Sequence, residues 1–212
     1  FLTSSAMDTP QANAFGFGIT DRVNASWTNG FTLNVLDEKN QWLGATYANS
    51  PISFGESHQS VSMGFSSAFD IDEDHHLVLD AAVARGNGQD VTNSLIDSVS
   101  DVYAESIGVS YTQNNAIQKG DRFTIGLKQP MRIFSGSANM VSSSVDSDGN
   151  PVTSTNAVGL TPDGRELDLT VGYTSAMKDN AQWSANMVAR RDDGNIQGQN
   201  SLGFMVSTKL AF

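Results

Sequence analysis

With 212 residues, 12 Lys+Arg against 23 Asp+Glu and a formal net charge of -11, the chain suits one domain or two small ones and is a poor candidate for nucleic acid or an anionic membrane surface. Its lack of cysteine excludes a disulfide framework and a thiolate metal site. No run approaches the roughly 18 to 20 apolar residues of a transmembrane helix, but the mean hydropathy of -0.26 leaves a transmembrane barrel open, because its lipid-facing and lumen-facing residues alternate and average out.

The opening "FLTSSAMDTP" has no initiating Met, no basic region and no signal-peptide core, and reads as a processed or trimmed start. Residues 1–12 are expected to be a lead-in or lumen segment ahead of a β-barrel over 13–212. Glycine and short polar clusters punctuate the sequence about every 10 to 15 residues, and helical periodicity is absent. The first strands are expected near 14–27, 30–37 and 41–48. In "SVSMGFSSAFDI" the apolar row is Val61, Met63, Phe65, Phe69 and Ile71, against Ser60, Ser62, Gly64 and Ser66. "HLVLDAAVARG" sets Leu77, Leu79, Ala81 and Val83 against Asp80 and Ala82. "GNGQDVTNSLIDSVSD" at 86–101 reads as the longest loop, with one helical turn in "NSLIDSV".

Alternation returns in "YAESIGVSYT" with Ile107, Val109 and Tyr111, and in "RFTIGLKQPMRIF" with Phe123, Ile125, Leu127, Met131 and Ile133 against Arg122, Thr124, Lys128 and Arg132. It is weak in two segments between 137 and 160, around the turn "DSDGNP". It is clear again in "ELDLTVGYT" (Leu167, Leu169, Val171, Tyr173), in "QWSANMVARR" (Trp183, Ala185, Met187, Ala189) and in the closing "NSLGFMVSTKLAF". The expected fold is therefore all-β, a closed antiparallel transmembrane barrel of about twelve strands. No repeat of the roughly 20–50-residue kind is visible, so propellers and solenoids are set aside.

Two patterns favour a barrel whose apolar row faces outward. The other row is rich in Gly, Ser, Ala and Thr with isolated charges of both signs, as suits a crowded hydrated lumen. Arg122, Lys128, Arg132, Glu166, Asp168 and Arg190 are the expected lumen-facing charges. The second pattern is aromatic. If successive strands run up and down and the C-terminus lies at the bottom, Phe69, Tyr111, Phe123, Tyr173, Trp183 and Phe212 all fall on the apolar row near one rim, as an interfacial girdle would.

Catalytic chemistry is not found. The histidines are His58, His75 and His76; no G-x-S-x-G nucleophile elbow is present, and Ser57 beside His58 in "GESH" reads as loop. "DIDEDHH" (Asp70, Asp72, Glu73, Asp74) and "DSDGN" (Asp146, Asp148, Asn150) offer hard oxygen ligands suited to Ca²⁺, but both read as ordinary solvated turns. Neither a cofactor nor a metal is expected. In "RRDDGNIQGQN" the two arginines lie beside two aspartates, so local pairing accounts for them.

A chain-terminal Phe212 with Leu210, Val206 and Phe204 at the third, seventh and ninth positions from the end resembles the assembly signal of bacterial outer-membrane barrels, which the barrel-assembly machinery reads; Thr208 departs mildly from it. "GLKQPMRIFSGSANM", "GLTPDGRELDLTVGYTS" and "MVARRDDGNIQGQNSLGFMVSTKLAF" resemble the C-terminal, autotransporter-like region of subtilisin-like serine proteases of Gram-negative bacteria. That resemblance covers roughly 120–212 and implies an upstream protease passenger for which this chain is a non-catalytic translocator or anchor in the outer membrane. Its expected partners are outer-membrane lipid, the assembly machinery and that passenger, with no nucleic acid. The alternatives are a small non-catalytic barrel acting as a subunit of a larger envelope complex, and a soluble β-domain appended to a secreted enzyme.

Overall fold

A computed structural model describes residues 11–39, 41–42, 45–46, 57–91, 94–178 and 181–210. Period-two alternation produces strands throughout. The chain begins with β1 (Gln11–Asn24) and β2 (Trp27–Lys39), followed by the short β3 (Gln41–Trp42) and β4 (Ala45–Thr46). Then come β5 (Ser57–Asp70), β6 (His75–Gly86), β7 (Gln89–Asp90), β8 (Ile96–Val99) and β9 (Val102–Asn114). The second half holds β10 (Arg122–Ser135), β11 (Ser137–Val145), β12 (Pro151–Gly159), β13 (Leu167–Lys178), β14 (Ala181–Arg191) and β15 (Ser201–Leu210).

Nine of these form one antiparallel meander in the order β1-β2-β5-β6-β9-β10-β13-β14-β15. Strand directions alternate, so β1 and β15 run the same way. No pairing joins them among the described residues. The expected count of about twelve strands thus becomes nine in the main sheet, and closure is not part of the described hydrogen bonding. Two segments explain the difference. Among the described residues, 41–48 give the short β3–β4 pair outside the main sheet, and the weakly alternating 137–160 region leaves the main sheet altogether.

The connections separate by length. The ends of β1 and β2, β5 and β6, β9 and β10 (through the turn 115–121), and β13 and β14 are joined at one end of the meander; the longer connections from β2 to β5, β6 to β9, β10 to β13 and β14 to β15 are made at the other. Side chains fix the tight turns. Asp72 Oδ1 accepts the backbone N–H groups of Asp74 and His75, and Asn115, in the left-handed region at φ 52, accepts the Gly120 N–H. Two of the long excursions build a second, four-stranded sheet ordered β12-β11-β8-β7. Its small core is Val91, Ile96, Val99, Val102 and Ala138, with Ile133 and Leu160 packed against it. The expected helical turn in 93–99 is instead strand β8, because Ile96 and Val99 are both buried in that core. A 3-10 turn occurs elsewhere, at Asp193–Asn195.

Residues 1–10, and Phe212 with its place in the girdle and the terminal signal, lie outside the described residues; so does the side chain of Leu210. Gln11 and Ala12, assigned above to the lead-in, already belong to β1.

Candidate functional site

The most distinctive feature of the molecule is the contrast between the two faces of the nine-stranded sheet. Cross-strand register runs from Phe17 to Leu33 to Met63 to Val83. Farther along, Leu79 aligns with Val109, Leu127 and Leu169, and Val171 with Met187 and Phe204. One apolar belt therefore crosses all nine strands. It is not a core, since Phe17 is 56% exposed, Leu127 48% and Phe204 73%. Isolated apolar residues on a surface are ordinary, but a contiguous belt signals an apolar environment.

The opposite face alternates glycine with polar side chains from the neighbouring strand. A Cβ on Gly16 would lie 2.6 Å from Asn34 Oδ1, one on Gly64 2.6 Å from Thr32 Oγ1, and one on Gly108 2.6 Å from Asp80 Oδ1. Each glycine leaves room for a polar side chain to lie across it. This face is concave: one cavity is lined both by Asn34 and Ser62 of the early strands and by Gly194 and Asn195 of the loop after β14.

Aromatic residues mark the short-turn rim. Phe69, Tyr111, Phe123, Tyr173 and Trp183 all sit on the apolar row at this end. Tyr173 packs on Trp183 with ring centroids 5.4 Å apart. Trp27, not anticipated from the sequence, stacks on Phe69 at 5.5 Å and donates its indole N–H to Ser67 Oγ at 2.9 Å. Running the first strand through to 27 and starting the second at 30 hid it; the Asx turn at Asn24, whose Oδ1 accepts the Ser26 N–H, was the available signal. Tyr103 and Phe134 form a second pair at the opposite end, 6.3 Å apart. From Tyr103 to Tyr111, β9 extends about 27 Å.

Of the anticipated inner charges, Arg122, Lys128, Asp168 and Arg190 lie on the polar row, with Glu166 immediately before β13. Arg190 Nε lies 3.8 Å from Glu166 Oε1 and 3.7 Å from Asp168 Oδ2, and Lys128 is register-opposed to Asp168. Burial raises the Glu166 carboxyl above its ordinary range, and the charge of Asp168 adds to this against the Gly194 N–H that it accepts.

Arg132 is a correction. Pro130 cannot donate to the ladder, and a bulge between Gln129 and Arg132 adds one residue, so Arg132 aligns with Glu105 and, through it, Val83. It therefore belongs to the apolar row, and its guanidinium donates to Gly164 O at 2.9 Å and Pro162 O at 2.8 Å. The same shift turns Ile133 to the polar row, opposite Ala104. A proline inside an alternating run was the sequence signal for this break.

The remaining polar clusters are structural. Ser57 and His58 open β5 rather than sit in a loop; the Ser57 hydroxyl donates to Asp37 at 3.3 Å, while His58 is buried beside Gln89. His75 and His76 pair with Asp72 and Asp70, each at 2.6 Å, at the start of β6. Asp146 accepts the N–H groups of Asp148 and Asn150, which closes the "DSDGN" turn, with Gly149 at φ +85. Asp121 is buried: desolvation pushes its carboxyl up, but the Tyr173 hydroxyl and the Gln118 and Ile117 N–H groups hold it below the usual range. Among the described residues no group of three or more His, Cys, Asp or Glu is placed to hold a metal ion, and no helix is long and apolar enough to cross a membrane; strands are another matter. No known family model matches the chain, and no curated protein matches it.

Proposed function

We propose that this chain is an outer-membrane β-barrel that serves as the non-catalytic translocator or anchor of an upstream passenger, a subtilisin-like protease by the resemblance above. The observation that carries the membrane assignment is the exposed apolar belt crossing all nine strands. Lipid supplies no hydrogen-bond partners, so a spanning sheet must satisfy its main chain internally; neighbouring strands of the meander are hydrogen-bonded to each other, and closure would serve the outer edges of β1 and β15. The loop asymmetry fits the same reading, because outer-membrane barrels carry short turns on one side and long loops on the other. In this reading the sheet closes at the β1–β15 seam, and the Gly, Ser, Thr and Asn row lines a hydrated lumen that accommodates the emerging chain.

A second reading, a barrel that is a subunit of a larger envelope complex, is favoured by β12. This strand is exposed along its whole length and carries no charge to discourage strand addition. The decisive experiment is membrane fractionation of cells expressing the full reading frame. Recovery only with detergent, and a gel mobility that shifts on heating, are expected; recovery in the aqueous fraction overturns both membrane readings. Cell-surface display of a reporter fused ahead of Phe1 separates translocator from subunit.

A further inference from the structure

The inner row is polar over most of the sheet but turns apolar toward the long-loop end. There Ala14 aligns with Leu36, and Ser62 with Ala84. Ala84 in turn aligns with Ala104, and Ala104 with Ile133. The β10 bulge is what brings Ile133 to this row; an unbroken ladder would present Arg132 instead. Leu160 and Pro162, together with Gly194 and Asn195, flank the patch and complete a half-open cavity of about 720 Å³, within the range of small-molecule sites. The roof is fastened from outside. Arg132 holds the carbonyls of Pro162 and Gly164, and the Gly164 N–H donates to Asn195 O at 3.0 Å.

Among the described residues no charged side chain lines this cavity. Its polar contributions are the amides of Asn34 and Asn195 and the hydroxyls of Ser60 and Ser62, which can orient a neutral head group. Met131 adds a flexible, polarisable wall that adapts to an alkyl chain. Ile133 and Leu160 also pack against the small core of the second sheet but are only partly buried there, and apolar surface left in water costs about 25 cal/mol per Å².

We propose that this chamber binds an uncharged aliphatic amphiphile, an alkyl chain bearing a hydroxyl or amide head, with the chain against Leu36, Ile133 and Leu160 and the head at Asn34 and Ser62. The site depends on the concave face alone and goes beyond the translocator reading.

The test uses the purified full chain in lipid nanodiscs with a medium-chain primary alcohol carrying a mid-chain diazirine. After photolysis, adducts are expected on peptides containing Met131, Ile133 and Leu160, suppressed by the unlabelled alcohol and much less by the carboxylate of equal chain length. Ala84→Trp, which fills the chamber, is expected to lower that labelling about tenfold, the loss equivalent to about 1.4 kcal/mol of binding, with heat-modifiable mobility retained. Should Ala84→Trp misfold, the wild-type adduct map decides. Adducts confined to belt residues such as Phe31 and Leu127, or equal competition by the carboxylate, overturn the proposal. The membrane reading is judged separately by fractionation, whose outcome does not depend on labelling.

Discussion

Two carboxylates in neighbouring loops are tuned in opposite directions. Asp192 accepts the Gly198 N–H at 2.7 Å and the Arg165 N–H at 3.4 Å beside Arg191, and is held below the usual carboxylate range. Its depressed value means that its contribution is present above the unfolded-state value and is lost as pH falls through the folded one. Protection of the Gly198 amide, corrected for intrinsic exchange, is expected to fall with acidification through that window in the wild type and to be pH-independent there in Asp192→Asn. Glu166 is raised, chiefly by burial, so its ionised form opposes folding at neutral pH. Stability is then gained as pH falls through its folded value toward the unfolded one. Glu166→Gln is expected to match or exceed the wild type in denaturant midpoint at neutral pH and to lose the acid-side gain. A lower midpoint for Glu166→Gln at neutral pH counts against this assignment. Neither environment was legible in the sequence, because the Asn195 and Gly194 groups that meet Glu166 come from a different loop.

Strands were the most legible level, since alternation reports faces directly. What failed was continuity. The run through Met131 and Ile133 keeps its apolar spacing across Pro130, yet the backbone inserts a bulge there and exchanges the faces. The interlocked roof was equally hidden. A Cβ on Gly164 would come within 2.6 Å of Asn195 O and 2.7 Å of Gln197 N, both backbone, so Gly164→Ala is expected to cost about 1–3 kcal/mol. Gly108→Ala meets only the Asp80 carboxylate tip and is expected to cost less than about 1 kcal/mol. Denaturant titration of the refolded protein compares the two. The belt yields a sharper test. Leu169 and Ile125 are 39% and 38% exposed, so Arg there is tolerated if water covers them and costs about 2–4 kcal/mol if lipid does. Ile117→Arg, in the turn 115–121, is the control and is expected to stay within about 0.5 kcal/mol of the wild type. Equal stability of all three variants in vesicles counts against a lipid-facing belt.

For the whole molecule, the all-β class and the contrast between an apolar and a polar row followed from composition and period, while the strand count did not. Weak alternation toward the end of β11 and along β12 reflects exposure on both sides, where no face is under pressure to be apolar. Seam closure can be read directly, because the chain has no native cysteine. A panel of single cysteines in β1 paired with single cysteines in β15 is expected to yield a disulfide for a consecutive set of registers; no cross-link anywhere in the panel counts against closure between these strands.

The meander has one more consequence, for how such a sheet grows. Among the described residues each main-sheet strand is hydrogen-bonded only to its chain neighbours within that sheet, so the sheet is quasi one-dimensional, as stacked repeats are. Excising the hairpin of β5 and β6 brings β2 beside β9 with their antiparallel sense intact and every remaining tight turn still at the same end. Circumference can therefore change two strands at a time while the topology stays constant. Gain or loss of a hairpin is then a small evolutionary step for this architecture, and the long excursions, which carry the second sheet, are free to diverge without disturbing the ladder beneath them.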